Sequence, residues 1–165
     1  MKVSAIVYTS NTGFTAWYAE QLGQRTGLPV YPLKQAVSQL GAGSRVIYLG
    51  WLCAEKIQGL PKALGRFNVA AVCAVGMSRT DIANVEQIAQ QNKLKDKPVF
   101  YLRGGFNRKK LDLVHRLMIR IASQGIKRSP AGTPAAELMQ AFRKGSDWTN
   151  AESLTPVQQW LEQDG

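Results

Sequence analysis

Thr9-Ser10-Asn11-Thr12-Gly13-Phe14-Thr15 is the stretch on which the reading of this chain turns. It joins an apolar run, residues 3–8, that reads as a strand to an amphipathic run, residues 14–25, that reads as a helix. Six of the seven residues are small, polar or glycine, so hydroxyls and backbone N–H groups enter a tight turn together. A helix N-terminus carries unsatisfied N–H groups and the positive end of the helix dipole, and the two together attract an anion. Ser10, Thr12 and Thr15 each add a hydroxyl donor, and Gly13 lets the backbone approach closely. The stretch holds no lysine and is not G-x-G-x-x-G, which excludes the phosphate loop of the ATPases and the dinucleotide fingerprint. A phosphate monoester held by hydroxyls and amides fits it. An ordinary capped strand-to-helix turn is the other reading.

Working outward, Phe14, Trp17, Tyr18 and Leu22 recur on one face of the expected helix, as a helix packed on a sheet requires. Gly27 suits its C-cap, and Pro29 stops it. Further strands are expected at 30–33 (an edge, because it carries proline), 45–50, 69–75 and 99–102. Helices are expected at 33–40 and 60–64, from Asp81 as N-cap to about 92, from Asn107 as N-cap to about 123, at 135–143 and at 155–163. Residues 51–59 read as a loop, and 125–147 as a loop or lid excursion around the short helix. Strands alternating with helices imply parallel βαβ units in a single α/β domain spanning 1–165.

Composition narrows the class. The 165 residues suffice for a full core, and the hydrophobic fraction of 45% is that of a globular protein. No run approaches the roughly 18 apolar residues of a membrane span, and the first residues carry no cleavage pattern. Cys53 and Cys73, with one histidine, make no metal framework and suit a reduced, cytoplasmic setting. His115 is isolated and reads as a solvated helix residue. Lys and Arg number 21 against 11 Asp and Glu, a net charge of +10 that favours anionic partners. Eight of those cations fall between Arg103 and Arg128, beside one acid, Asp112. On a helix this gives a basic face with Lys109, Arg116 and Arg120, either simply solvated or docking on anionic lipid or an acidic substrate. Nucleic acid is not expected, since no aromatic platform interleaves with the cations.

Ser10-Asn11-Thr12-Gly13-Phe14-Thr15 matches (S/T)-x-T-G-x-T and resembles the FMN-phosphate loop of flavodoxins. The resemblance implies a three-layer, doubly wound, five-stranded parallel sheet in the order 2-1-3-4-5, with FMN at the strand 1/strand 3 switch point. The flavin site then comprises Thr9, Ser10, Asn11, Thr12, Gly13, Phe14 and Thr15 with three strand exits: Gly50-Trp51-Leu52, Gly76-Met77-Ser78 and Gly104-Gly105-Phe106. Trp51 is the stacking residue or an interface aromatic, and Met77 touches the ring or fills a gap. Gly104 to Asn107, Arg116-Leu117-Met118-Ile119-Arg120 and Asp147-Trp148 before a last helix resemble the flavodoxin-type, quinone-dependent protoporphyrinogen dehydrogenases. That family carries a long insertion after strand four, whereas Met77 to Thr80 here lead at once to a helix, and none of its catalytic residues can be matched. The expectation is therefore an FMN oxidoreductase passing electrons to a quinone or protein at the inner face of the membrane. The alternatives are an electron carrier for an acidic partner and a flavin-free binding module.

Overall fold

The computed structural model describes residues 2–94, 96–110, 120, 130 and 132–164. Strand and helix alternate as β1 (Ala5–Thr9), α1 (Phe14–Thr26), β2 (Val30–Pro32), α2 (Leu33–Gln39), β3 (Arg45–Cys53), β4 (Lys56–Ile57), α3 (Leu60–Arg66), β5 (Asn68–Gly76), α4 (Val85–Gln91) and β6 (Val99–Arg103). There follow β7 (Gly105–Phe106), α5 (Pro134–Lys144), β8 (Ser146–Asp147) and α6 (Thr155–Asp164), with 3-10 turns at Arg108–Lys110 and Ala151–Leu154. The main sheet runs β2-β1-β3-β5-β6, all parallel, while β4 folds back antiparallel on β3. A separate two-stranded sheet pairs β7 with β8. The fold is thus α/β on a parallel sheet.

Alternation along the strands sends side chains to both faces, and both are covered. Val7, Tyr48, Val72 and Ala74 pack with Ala36, Leu60, Ala63 and Ile88, from α2, α3 and α4. Ile6, Ile47, Leu49 and Cys73 pack with Tyr18 and Leu22 of α1 and with Leu154 and Val157. Each fully buried Leu or Ile in these clusters contributes roughly 1.5–3 kcal/mol. Val46 and Ile47 pair with Val69 and Ala71, a one-residue bulge that keeps the alternation on both sides of it. Tyr18 ties the end of the sheet to the C-terminal segment: its hydroxyl donates to the Arg103 carbonyl at 2.7 Å and accepts the Asn150 N–H at 3.1 Å. Among the described residues no helix is long and apolar enough to cross a membrane.

Two expectations need correction. Residues 51–59 are not a loop: β3 continues through Trp51 to Cys53 and turns back into β4. The turn residues Ala54 and Glu55 both have positive φ, 47° and 64°, a hairpin geometry that asparagine or glycine normally signals. Asn92 holds the hairpin instead, its Oδ1 accepting the Ile57 N–H at 2.9 Å and its Nδ2 donating to the Glu55 carbonyl at 2.7 Å. Asp81 caps no helix; it pairs with Arg79, and Asn84 caps α4 by accepting the Gln87 N–H at 2.9 Å. Asn107 opens a 3-10 turn, its Oδ1 accepting the Lys109 N–H at 3.1 Å, while the helix expected from it to residue 123, His115 and Arg116 included, lies outside the described residues except for position 120, which is helical. Within 125–147 the described part holds α5, where a helix is expected at 135–143, and β8, which pairs with Gly105–Phe106.

Candidate functional site

β1 delivers its last residue, Thr9, opposite Gly50 of β3, and the chain turns at once into α1. Ser10 Oγ accepts the Gly13 N–H at 3.1 Å, which closes the loop. Gly13 has φ 105°, a conformation L side chains rarely adopt, and it is the N-cap of α1. No side chain caps α1 and no acid stands in its first turn, so its first N–H groups and the positive dipole end are left facing the loop. Thr15, in the first turn of α1, is 2% exposed.

Thr9 is fixed from behind. Tyr48 Oη lies 2.7 Å from both Thr9 Oγ1 and the Gln58 carbonyl. A carbonyl only accepts, so the phenol proton goes to Gln58 and the Thr9 hydroxyl donates to Tyr48. Burial, partly offset by the bond to Thr9, pushes the Tyr48 phenol up to about 12 and keeps it neutral. Gly59, φ 79°, closes this corner, and any side chain there would strike Tyr48 and Thr9.

The loop forms one wall of a cleft of about 570 Å³. Lys34 of α2, Lys62 of α3 and Lys110 of the 3-10 turn line the rest, and no acid or histidine among the described residues does. The Lys110 ammonium sits 3.6 Å from where a Cβ on Gly13 would stand. None of the three lysines pairs with a carboxylate among the described residues. The sequence reading, which noted that the loop lacks lysine, missed all three. A signal was available for two of them: Lys34 and Lys62 stand in the first turns of helices, where a cation opposes the helix dipole. Chemically this cleft presents hydroxyl, amide and ammonium donors that an anion could use.

The other expected residues lie elsewhere along the sheet edge. Gly50, Trp51 and Leu52 are inside β3, paired with Ala74 and Val75 of β5 and with Ile57 of β4. The three exit glycines at 50, 76 and 104 are buried, and the space beside each is taken by protein: Ile57 and Gln58, Tyr101, and Val75. The Gly104 N–H donates to the Gly76 carbonyl at 2.8 Å. Gly105 lies against Phe14 and the Ser146 carbonyl of β8. Trp51 is half-buried, on the same face of β3 as Leu49. Met77 packs against a small cluster of Phe106, Ala141, Phe142 and Trp148, the gap-filling role, while Ser78 is exposed and its carbonyl accepts the Tyr101 hydroxyl at 2.9 Å. Burial also pushes the Tyr101 phenol up to about 12. A second cleft, about 730 Å³, opens on the far side of the 3-10 turn between Phe14, Phe106, Lys109, Arg143 and Lys144. Among the described residues no cluster of three or more metal-ligating side chains exists.

No family model, no curated protein and no solved structure matches this chain.

Proposed function

We propose that this chain is a flavodoxin-like protein that binds FMN noncovalently and uses it in electron transfer or a small redox reaction. The observation that carries the reading is the Ser10–Thr15 loop, set at the carboxyl end of β1 with the uncapped start of α1 and Lys110 converging on it. With the hairpin strand β4 set aside, the path β2-β1-β3-β5-β6 reads as 2-1-3-4-5, which supports FMN at the point where the connections diverge from β1 and β3. The phosphate end suits the group well: a dianion there meets the Ser10 and Thr12 hydroxyls, the first N–H groups of α1 and a lysine. The ring end would rely on side chains, since the backbone of Gly50 to Leu52 is engaged in the sheet, with Trp51 as its half-buried aromatic and Ser78 as its exposed hydroxyl.

When bound, the flavin supplies the electron and hydride chemistry. The chain's own part is to hold the phosphate, orient the ring and tune its environment. Thr9, Ser10, Asn11, Thr12, Gly13, Phe14 and Thr15 form the phosphate end, and Gly50, Trp51, Leu52, Gly76, Met77, Ser78, Gly104 and Gly105 the neighbourhood of the ring. The nearest resemblance is to the quinone-dependent protoporphyrinogen dehydrogenases, with a quinone as acceptor, a cytoplasmic setting and Arg116 and Arg120 against an anionic membrane surface. The second reading is an electron carrier for an acidic partner, favoured by Lys109, Arg143 and Lys144, which are exposed and make no ion pair with a described carboxylate.

The test is an absorbance spectrum of the purified protein, followed by titration of the apo form with FMN and riboflavin. Flavin bands with FMN preferred over riboflavin uphold the reading. Equal affinity for FMN and riboflavin, or no binding of either, overturns it. Reoxidation of the reduced flavin by quinone-containing anionic vesicles then separates the dehydrogenase-like reading from the carrier.

A further inference from the structure

We infer that the lysine side of the first cleft takes a second phosphate, so that the site accepts a diphosphate. The inference rests on the phosphate-loop half of the reading above and not on the flavin. Three observations carry it. At about 570 Å³ the open cleft has room for a whole small ligand, where a lone phosphate would occupy only the Gly13 end. Its three ammonium groups exceed the roughly two negative charges of a phosphate monoester at neutral pH. Lys34 and Lys62 belong to α2 and α3 and line the same cleft as the loop, and their positions in the first helical turns work against the helix dipole. Neither has a carboxylate partner among the described residues, and no acid stands in the first turn of α1, α2 or α3 to quench them. Local helix stability therefore gives no reason for these lysines, while an anion between them does.

One phosphate sits at Gly13 under Lys110, held by Ser10 and Thr12. The next is held by Lys34 and Lys62. A nucleoside diphosphate and a flavin dinucleotide share this chemistry and differ in what continues beyond the second phosphate.

Calorimetric titration of the full chain with AMP, ADP, inorganic phosphate and pyrophosphate, and with FMN and FAD, tests the inference. ADP and pyrophosphate are expected to bind at least tenfold tighter than AMP and phosphate. In the Lys34→Gln/Lys62→Gln variant, checked for an unchanged circular dichroism spectrum, that preference falls below threefold. Equal affinities for AMP and ADP and for FMN and FAD in the wild type overturn the inference; so does a preference that survives the double substitution. A matching preference for FAD over FMN upholds it and identifies a dinucleotide. A preference for ADP without flavin binding also upholds it, and sinks the flavin reading alone.

Discussion

The cleft under Lys110 and the cleft beside Lys109 are lined by adjacent residues of the chain, and both are basic, yet their walls are made differently. The first stands on the main sheet: Thr9 is locked to Tyr48, Tyr48 to Gln58, and the floor belongs to a core whose members are nearly all inaccessible. The second stands on two strands of two residues each and on α5, over a cluster whose buried members among the described residues are Phe106 and Ala141. Its fastening is largely polar. Arg103 reaches Glu137 at 2.8 Å and lies 4.0 Å over the Trp148 ring, and the Trp148 N–H donates to the Gly104 carbonyl at 3.1 Å. Similar charge is thus displayed on a preorganised frame in one case and on a lightly buried one in the other. The loop's hydroxyls and amides on the first frame are already in position and would spend little ordering entropy on an anion, whereas the exposed lysines of either cleft would still have to be ordered. Local opening should likewise concentrate where few apolar contacts are buried.

That contrast can be broken in several places. The largest effect is expected at Gly59→Val, which combines a positive φ with a clash against Tyr48 and Thr9. The loss should be roughly 3 kcal/mol, the sum of left-handed strain and overpacking. A denaturation midpoint equal to the wild type would show that the first cleft is not rigid.

Next is Tyr48→Phe, which leaves the Gln58 carbonyl and Thr9 hydroxyl without their shared partner, a cost of about 1–3 kcal/mol. It also has a pH signature. The Tyr48 and Tyr101 phenols are pushed up to about 12 in the fold, against about 10 when unfolded. The folded state then holds protons that the unfolded chain releases, so stability is intact below about pH 10 and falls as pH rises toward 12, by about 1.4 kcal/mol per pH unit for each tyrosine. Tyr48→Phe should make that alkaline slope shallower. Identical slopes would remove the buried-phenol account.

Neighbouring lysines give a sharper comparison. Lys110→Gln should weaken FMN binding about tenfold, in keeping with one charge-assisted hydrogen bond, while Lys109→Gln, which faces the other cleft, should change it less than twofold. Equal effects would mean that general electrostatics, and not the site, attracts the phosphate. The smallest effect is expected at Glu137→Gln, about 0.5–1 kcal/mol for a half-exposed ion pair. Amide exchange should rise in α5 and β8 while β3 and β5 stay protected. Faster exchange in β3 would show that the two regions open as one.

Readability from sequence tracked the distance along the chain over which each feature is encoded. The strand, loop and helix through Thr9 to Thr15 were readable because hydrophobic period, small residues and glycine all act within one turn. Gly27 ends α1 in a left-handed C-cap, φ 71°, and Val30–Pro32 sits at the sheet edge, as local rules require. The Ala54–Glu55 hairpin escaped because its positive φ values are imposed by Asn92 and the β3–β4 pairing and not by turn residues. Asp81 was favoured as a cap on residue type alone; Asn84 holds the position because α4 begins later and Arg79 already engages Asp81. β7 and β8 are two residues long and carry no periodicity to detect; their pairing exists only because α5 returns the chain to Gly105.

Local chemistry along the chain specified an alternating α/β architecture, a hydroxyl- and glycine-rich turn after the first strand and a strongly basic composition. These follow from propensity, period and charge, which act between near neighbours. The gathering of Lys34, Lys62 and Lys110 around Gly13 arose in the folded chain, as did the filling of the strand-exit glycines by Ile57, Tyr101 and Val75. Packing and sheet topology bring together residues whose separation in sequence carries no trace of the contact.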